Sequence, residues 1–317
     1  MIHYNREVKI FTGNANVPLA KKIAERVGVQ LGNAMVERFS DGEVNITIGE
    51  TVRGCDAFLV QPTSSPANET LMELLIMIDA FKRASAERIT AVMPYYGYAR
   101  QDRKARARDP ISAKLVADLL TMAGADRILT MDLHAPQIQG FFNIPVDHLI
   151  GMPLLYEYFR EYVNNKDDVV IVSPDVGSVN RTRQFAERID LPIAVVDKRR
   201  PKANVSEVMN IIGEVNNKKV IMVDDMIDTA GTLCHAAKAL EEHGAKEVYA
   251  FATHGVLSGQ AIERIENSPI RELIVLDTIA VPSAKLTGKI KQISCANLFA
   301  DAIRRIHEGM SVSTMFK

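Results

Sequence analysis

The stretch that most limits the fold runs Val220-Ile221-Met222-Val223-Asp224-Asp225-Met226-Ile227-Asp228-Thr229-Ala230-Gly231-Thr232. Four apolar residues, Val220 to Val223, follow two lysines, as in a strand buried on both faces of a parallel sheet. Asp224 and Asp225 stand where that strand should end. The small-residue turn from Asp228 to Thr232 opens into Leu233, Ala236, Ala237 and Leu240, spaced for one face of a helix. Gly244 is placed to end that helix. Strand, acidic tip, small turn and helix in this order predict an α/β chain. In such a chain ligands sit at the carboxyl ends of the strands.

The turn has a chemistry of its own. Backbone N–H groups from Thr, Ala and Gly, added to the positive end of a helix, suit a phosphate dianion. The two carboxylates repel phosphate but accept hydrogen bonds from sugar hydroxyls. One strand tip can therefore hold a ribose phosphate, with the diol at Asp224 and Asp225 and the phosphate at Asp228, Thr229, Ala230, Gly231 and Thr232. The competing reading is an Asp228 N-cap beside two solvated carboxylates. The order of the parts weighs against it.

Strand and helix patterns alternate along the rest of the chain, which argues for parallel sheets covered by helices. The first half predicts strands at Val8–Phe11, Ala57–Val60, Ile89–Met93 and Ile128–Met131, with helices near 17–27, 68–85 and 111–123 between them. The second half predicts strands at Val169–Val172, Ile193–Val196, Glu247–Ala252 and Ile274–Leu276, and a last helix at Asn297–Glu308. With 317 residues there is room for two domains. Pro and Gly interrupt the pattern near 145–153, which divides the chain into residues 1–148 and 149–317. The last helix could fold back onto the first domain.

Composition excludes several functions. The 38 basic and 39 acidic residues leave a net charge of −1. That gives no bulk attraction for nucleic acid or an anionic membrane. Cys55, Cys234 and Cys295 are far apart and form no metal-binding spacing, so a reduced, cytoplasmic setting is the default. The first residues do not read as a signal peptide. The longest apolar stretch, Leu74 to Phe81, is broken by Asp79 and is too short to span a bilayer.

Five further segments carry chemistry. Arg38-Phe39-Ser40-Asp41-Gly42-Glu43 sets an aromatic beside two carboxylates, able to stack a base and accept from an amine or hydroxyl; a plain β-turn is the rival. Tyr95-Tyr96-Gly97-Tyr98-Ala99-Arg100-Gln101-Asp102-Arg103-Lys104, with Arg106, is a positive loop after a strand, suited to polyphosphate. Asp132-Leu133-His134 and Ser173-Pro174-Asp175 also follow strands; a His and an Asp brought together could hold Mg²⁺ with phosphate oxygens and waters. Asp197-Lys198-Arg199-Arg200-Pro201-Lys202 reads as a mobile cationic loop able to close over phosphates.

The stretch Val223–Thr232 resembles the signature of proteins that bind phosphoribosyl diphosphate. Together with Arg38–Glu43, Tyr95–Asp102, Asp132–Phe142 and Asp197–Pro201, the chain resembles the ribose-phosphate pyrophosphokinase family along nearly its whole length. That resemblance implies two similar domains of the type I phosphoribosyltransferase-like fold and transfer of a diphosphoryl group from ATP to ribose 5-phosphate. It implies ATP contacts from Arg100, Gln101 and His134, and from Phe39, Asp41, Gly42 and Glu43 of a neighbouring subunit. It implies Mg²⁺ at His134 and Asp175, and catalysis by Lys198 and Arg200. Ribose 5-phosphate would meet Arg200, Asp224, Asp225 and the 228–232 turn. A homohexamer, with ADP and phosphate as effectors near Arg53 and Ser311–Ser313, is also implied. Where the family usually reads Ser-Pro-Asp-x-Gly-Gly, this chain has Ser178 for the second Gly. A phosphoribosyltransferase and a non-catalytic regulatory homologue are the alternatives.

Overall fold

The computed structural model describes residues 6–160, 168–199, 208–286 and 288–316, apart from the side chains of Lys198, Arg199 and Val208. The chain divides into two compact units. The first takes residues up to Ile150, together with 278–280 and the segment from Ser294 onward; the second takes 151–277 and 281–293.

In the first unit, strands β1 (Val8–Thr12), β4 (Asp56–Val60), β5 (Arg88–Met93), β6 (Arg127–Met131) and β7 (Val146–Leu149) form a sheet in that order. Every pairing in it is parallel. Parallel strands need crossovers, and helices α1 (Val17–Val27), α2 (Ala67–Arg83) and α3 (Ser112–Ala123) lie between strands in the chain. Helix α2 buries Leu74, Met77, Ile78 and Phe81, and the Phe81 ring meets Phe11 of β1 edge-on at 4.5 Å. Strands β2 (Ala34–Arg38) and β3 (Val44–Ile48) stand apart as an antiparallel hairpin. Its apolar face, Val36, Ile46 and Ile48, packs on the core of this unit. Its turn end is fixed by charge, since Arg38, which pairs with Val44 beside the turn, lies 2.7 Å from Glu69 and 3.4 Å from the buried Glu73.

The second unit carries helices α4 (Met152–Arg160), α5 (Val179–Ile189), α6 (Gly231–Glu242) and α7 (Ala261–Glu266). Its sheet has seven strands in the order β10-β9-β8-β11-β12-β13-β14. They are β8 (Val169–Ser173), β9 (Ile193–Arg199), β10 (Val208–Ile212), β11 (Lys219–Ile227), β12 (Glu247–Gly255), β13 (Ile270–Leu276) and β14 (Ile290–Ile293). Only β10 runs antiparallel. After β8 the chain builds outward through β9 and β10, then crosses back and lays β11 on the other side of β8. The order therefore reverses between β8 and β11, which opens a crevice at their carboxyl ends.

The closing helix α8 (Ala296–His307) belongs to the first unit. It packs on α1, where the Arg304 guanidinium donates to the Arg26 carbonyl. A buried charge cluster anchors its far end. Asp56, at the start of β4, is fully buried; it accepts from Arg88 Nε at 2.8 Å and lies 2.9 Å from His307 Nδ1. Arg88 also reaches the Ile306 carbonyl at 3.1 Å.

Two elements extend past their expected ends. Strand β11 does not stop at the acids but runs to Ile227, because β12 stays alongside and pairs Met226 with His254 and Ile227 with Gly255. Strand β9 continues through Lys198 and Arg199, because β10 returns against it and pairs Met209 with Lys198. The first two cations thus stand on a hairpin strand, not in a loop.

Removing one partner of a buried ion pair leaves the other uncompensated. Asp56→Asn should therefore destabilise the protein by about 3 kcal/mol. Urea denaturation of the two proteins checks this, and an unchanged midpoint would show that the Arg88 cluster does not hold α8.

Candidate active site

The crevice between β8 and β11 gathers carboxylates from both tips. Asp175 follows β8, and its Oδ1 accepts the Ser178 amide at 2.9 Å. The Ser178 hydroxyl donates to Asp224 Oδ1, also at 2.9 Å. The serine in place of the family glycine is thus accommodated as a link between two acids. Arg181, one turn along α5, sits 2.9 Å from Asp225 and 3.6 Å from Asp224. Neighbouring carboxylates on one strand would repel each other without such a cation.

The Asp224 carboxyl is pushed up to about 7, mainly by burial and then by the charge of Asp225. The Ser178 hydroxyl and Arg181 pull it the other way. The pair holds one charge readily and a second only against resistance. Such a site responds to any cation or hydroxyl donor brought against it.

Beyond β11 the chain turns sharply. Ala230 adopts a left-handed conformation at φ 59°, and α6 starts at Gly231. Asp228 is not the N-cap, as the bland reading would have it; that position is Ala230, with no side-chain cap bond. Gly244 does end the helix, at φ +86°, with its amide on the Glu241 carbonyl and that of Ala245 on Leu240. Among the described residues no acceptor takes the amides of Thr229, Ala230, Gly231 or Thr232. Four free donors at a helix start are a cradle able to accept an anion.

The first unit presents its candidate residues at the carboxyl ends of β5 and β6, which are neighbours in the sheet. The loop after β5 is pinned from within: the Gly97 amide donates to Thr63 Oγ1 at 2.7 Å, and Tyr96 Oη to the Ala113 carbonyl at 2.8 Å. Gln101 joins the loop to the start of α3, its carbonyl accepting the Ala113 amide and its side chain the Ser112 hydroxyl. Arg100 and Gln101 are exposed. His134 is exposed after β6, in a turn where Asp132 has a φ of 38°. His148 of β7 steadies that turn by accepting the Leu133 amide on Nε2 at 2.9 Å. At the tip of the β2–β3 hairpin, Asp41, Gly42 and Glu43 are exposed and Phe39 is 54% exposed.

Arg181 and His148 escaped the sequence reading. Each stands inside a regular element, with no local motif to mark it. Of the expected metal pair, His134 belongs to the first unit and Asp175 to the second. Among the described residues no three His, Cys, Asp or Glu side chains cluster as a metal site. Arg200 lies outside the described residues, as does the side chain of Lys198.

A mostly parallel α/β sheet with paired acids and an amide cradle at its switch point defines a phosphoribosyltransferase-like protein. Comparison with known proteins narrows the class. Residues 8–124 match the N-terminal domain of ribose phosphate pyrophosphokinase, and 198–317 match the phosphoribosyl synthetase-associated domain. A ribose-phosphate pyrophosphokinase from Clostridium tetani is 65% identical over 317 residues, which cover 100% of this chain and 99% of that protein. The one from Bacillus subtilis is 59% identical over 98% of each chain. The crystal structure of phosphoribosylpyrophosphate synthetase from Mycobacterium smegmatis superposes with a TM-score of 0.91 at 45% identity, covering 96% of this chain and 100% of that one. The chain belongs to the ribose-phosphate pyrophosphokinase family, and it is an enzyme.

The raised Asp224 carboxyl carries a sign for stability. An acid whose folded pKa exceeds its unfolded value loses stability as pH rises between the two. For Asp224 that window runs from about 4 to about 7. Asp224→Asn removes the ionisation, so its advantage over the parent should grow across that window and level off above it. At pH 8 the gain should be on the order of 2–4 kcal/mol. Urea titrations at pH 5 and pH 8 measure it, and an equal difference at both would show that the pair is not strained by charge.

Proposed function

We propose that the enzyme transfers the diphosphoryl group of ATP to the 1-hydroxyl of ribose 5-phosphate, giving phosphoribosyl diphosphate and AMP. The observation that carries this reading is the cradle of four free amides beside two strained carboxylates. It suits a substrate with a dianion at one end and hydroxyls at the other. The amides of Thr229 to Thr232 would bind the 5-phosphate, and Asp224 and Asp225 would orient the ribose hydroxyls.

ATP would be held by Arg100, Gln101 and His134 on the loops after β5 and β6. Phe39, Asp41, Gly42 and Glu43 would come from the hairpin of a neighbouring copy, with Phe39 stacking on the base. Its exposure at the tip of a hairpin anchored through Arg38 supports that role. A site completed in this way requires self-association, and a homohexamer is the proposed assembly. ADP and phosphate are proposed as effectors near Arg53 and near Ser311–Ser313, where Arg305 donates to the Ser311 carbonyl at 3.1 Å. No helix among the described residues is long and apolar enough to cross a membrane, and the enzyme would work in the cytoplasm.

Mg²⁺ is proposed as the cofactor. His134 and Asp175 would hold it, donors too few for an all-protein cage and expected where phosphates and waters complete the shell. When bound it neutralises and orients the phosphates.

The sugar's 1-hydroxyl attacks the β-phosphorus of ATP and AMP departs. Transfer of this kind needs positioning and charge neutralisation more than covalent help. Lys198 and Arg200 would stabilise the charge that develops on the transferred group and the leaving oxygen.

A coupled assay tests the reading. AMP should appear only when ATP and ribose 5-phosphate are both present. Pyrophosphate released from phosphoribosyl diphosphate plus a base would instead identify a phosphoribosyltransferase, and no turnover with either pair a regulatory homologue. In the cradle, Ala230→Val forces a β-branched residue into the left-handed region, at a cost of about 1–3 kcal/mol. Its KM for ribose 5-phosphate should rise about tenfold, with that for ATP kept; Ala230→Gly should fall closer to the parent. An unchanged KM in folded Ala230→Val would move the phosphate elsewhere. Lys198→Ala and Arg200→Ala should each lower kcat by about 10²–10³. A near-normal kcat with a raised KM would mean that these cations only gather substrate.

A further inference from the structure

We propose that Arg264 is the positioning residue that sets the direction of the cradle's amides. The inference rests on the reading of the 229–232 turn as the 5-phosphate site. Three consecutive carbonyls lead into that turn, and all three are taken from one side. The Leu257 amide donates to Ile227 and the Ser258 amide to Asp228, both at 3.0 Å. The third carbonyl, Thr229, accepts Nη1 of Arg264 at 2.8 Å. The other end of that guanidinium leans on Gln260, where Nη2 lies 3.4 Å from Oε1.

A trans peptide is planar, with its C=O and N–H pointing in opposite directions. Holding the Asp228 carbonyl on one side aims the Thr229 amide to the other. Holding the Thr229 carbonyl does the same for the Ala230 amide. The first bond comes from backbone and is fixed by the fold. The second comes from an exposed side chain and is therefore the adjustable one. It also opposes a local strain. Ala230 sits at φ 59°, where a residue with a Cβ is disfavoured. A flip of the Thr229–Ala230 peptide would relieve that strain and turn one amide away from the phosphate. Arg264 holds the unflipped form without touching the substrate.

The experiment compares the parent with Arg264→Ala, Arg264→Lys and Arg264→Ala in an Ala230→Gly background. Titration calorimetry with ribose 5-phosphate reads the cradle directly, and AMP formation from ATP and ribose 5-phosphate reads the reaction. Arg264→Ala should weaken ribose 5-phosphate binding about tenfold, the weight of one hydrogen bond from a charged donor. The KM for ATP and kcat should stay near the parent values. Arg264→Lys, which keeps a charged donor, should recover part of the loss. In the Ala230→Gly background the loss should shrink, since glycine accepts the left-handed region at no cost. A folded Arg264→Ala with unchanged affinity overturns the inference, and so does an equal loss in both backgrounds. If the parent binds ribose 5-phosphate but makes no AMP, the functional reading fails while the calorimetry still decides the role of Arg264.

Discussion

The structure of the second unit depends on two like charges held side by side within β11, a strand that continues past them to Ile227. Asp224 and Asp225 cannot both ionise freely where the sheet places them. Arg181 from α5 and the Ser178 hydroxyl offset part of that repulsion, and the rest remains as a raised carboxyl at Asp224. The strain stays because the elements around it leave no alternative: β12 keeps β11 extended past the acids, and α5 brings its cation to the same crevice. Such stored cost is common where a site must respond to a ligand.

Direction of polar groups is the second theme of that crevice. The carbonyls of Ile227, Asp228 and Thr229 face donors from the β12–α7 connection and from α7. The amides that follow are left for a ligand. A backbone whose acceptors are taken on one side has only donors for the other.

The first unit solves a different problem. Its loops after β5 and β6 expose Arg100, Gln101 and His134 on a buried footing of Tyr95, Tyr96 and Leu133. Internal bonds pin that footing: Gly97 to Thr63, Tyr96 to Ala113, Leu133 to His148. Gly97 permits the close approach, since a Cβ there would stand 2.3 Å from the Thr63 carbonyl oxygen. At the opposite end of the sheet, the Asp56–Arg88–His307 cluster ties in the closing helix, well away from the loops.

Much of this was legible in the sequence because it is local. The Val220–Thr232 stretch announced a buried strand carrying adjacent acids and a small-residue turn into a helix through residue order alone, and apolar periodicity placed the principal helices. The residues that tune the site are not local. Arg181 and His148 act from other elements on Asp225 and Leu133, and Arg264 reaches Thr229 across 35 positions. The ends of strands likewise escaped prediction. Whether β11 and β9 continue past an acid or a cation depends on a neighbouring strand's hydrogen bonds, not on the residue's own preference. Which segments are strands, helices and turns was set by the sequence, since those follow from side-chain period and backbone preference. Only the tertiary structure decided which carboxylates share a charge, which cations meet them and where the turn's amides point, because those depend on distances between elements far apart in the chain.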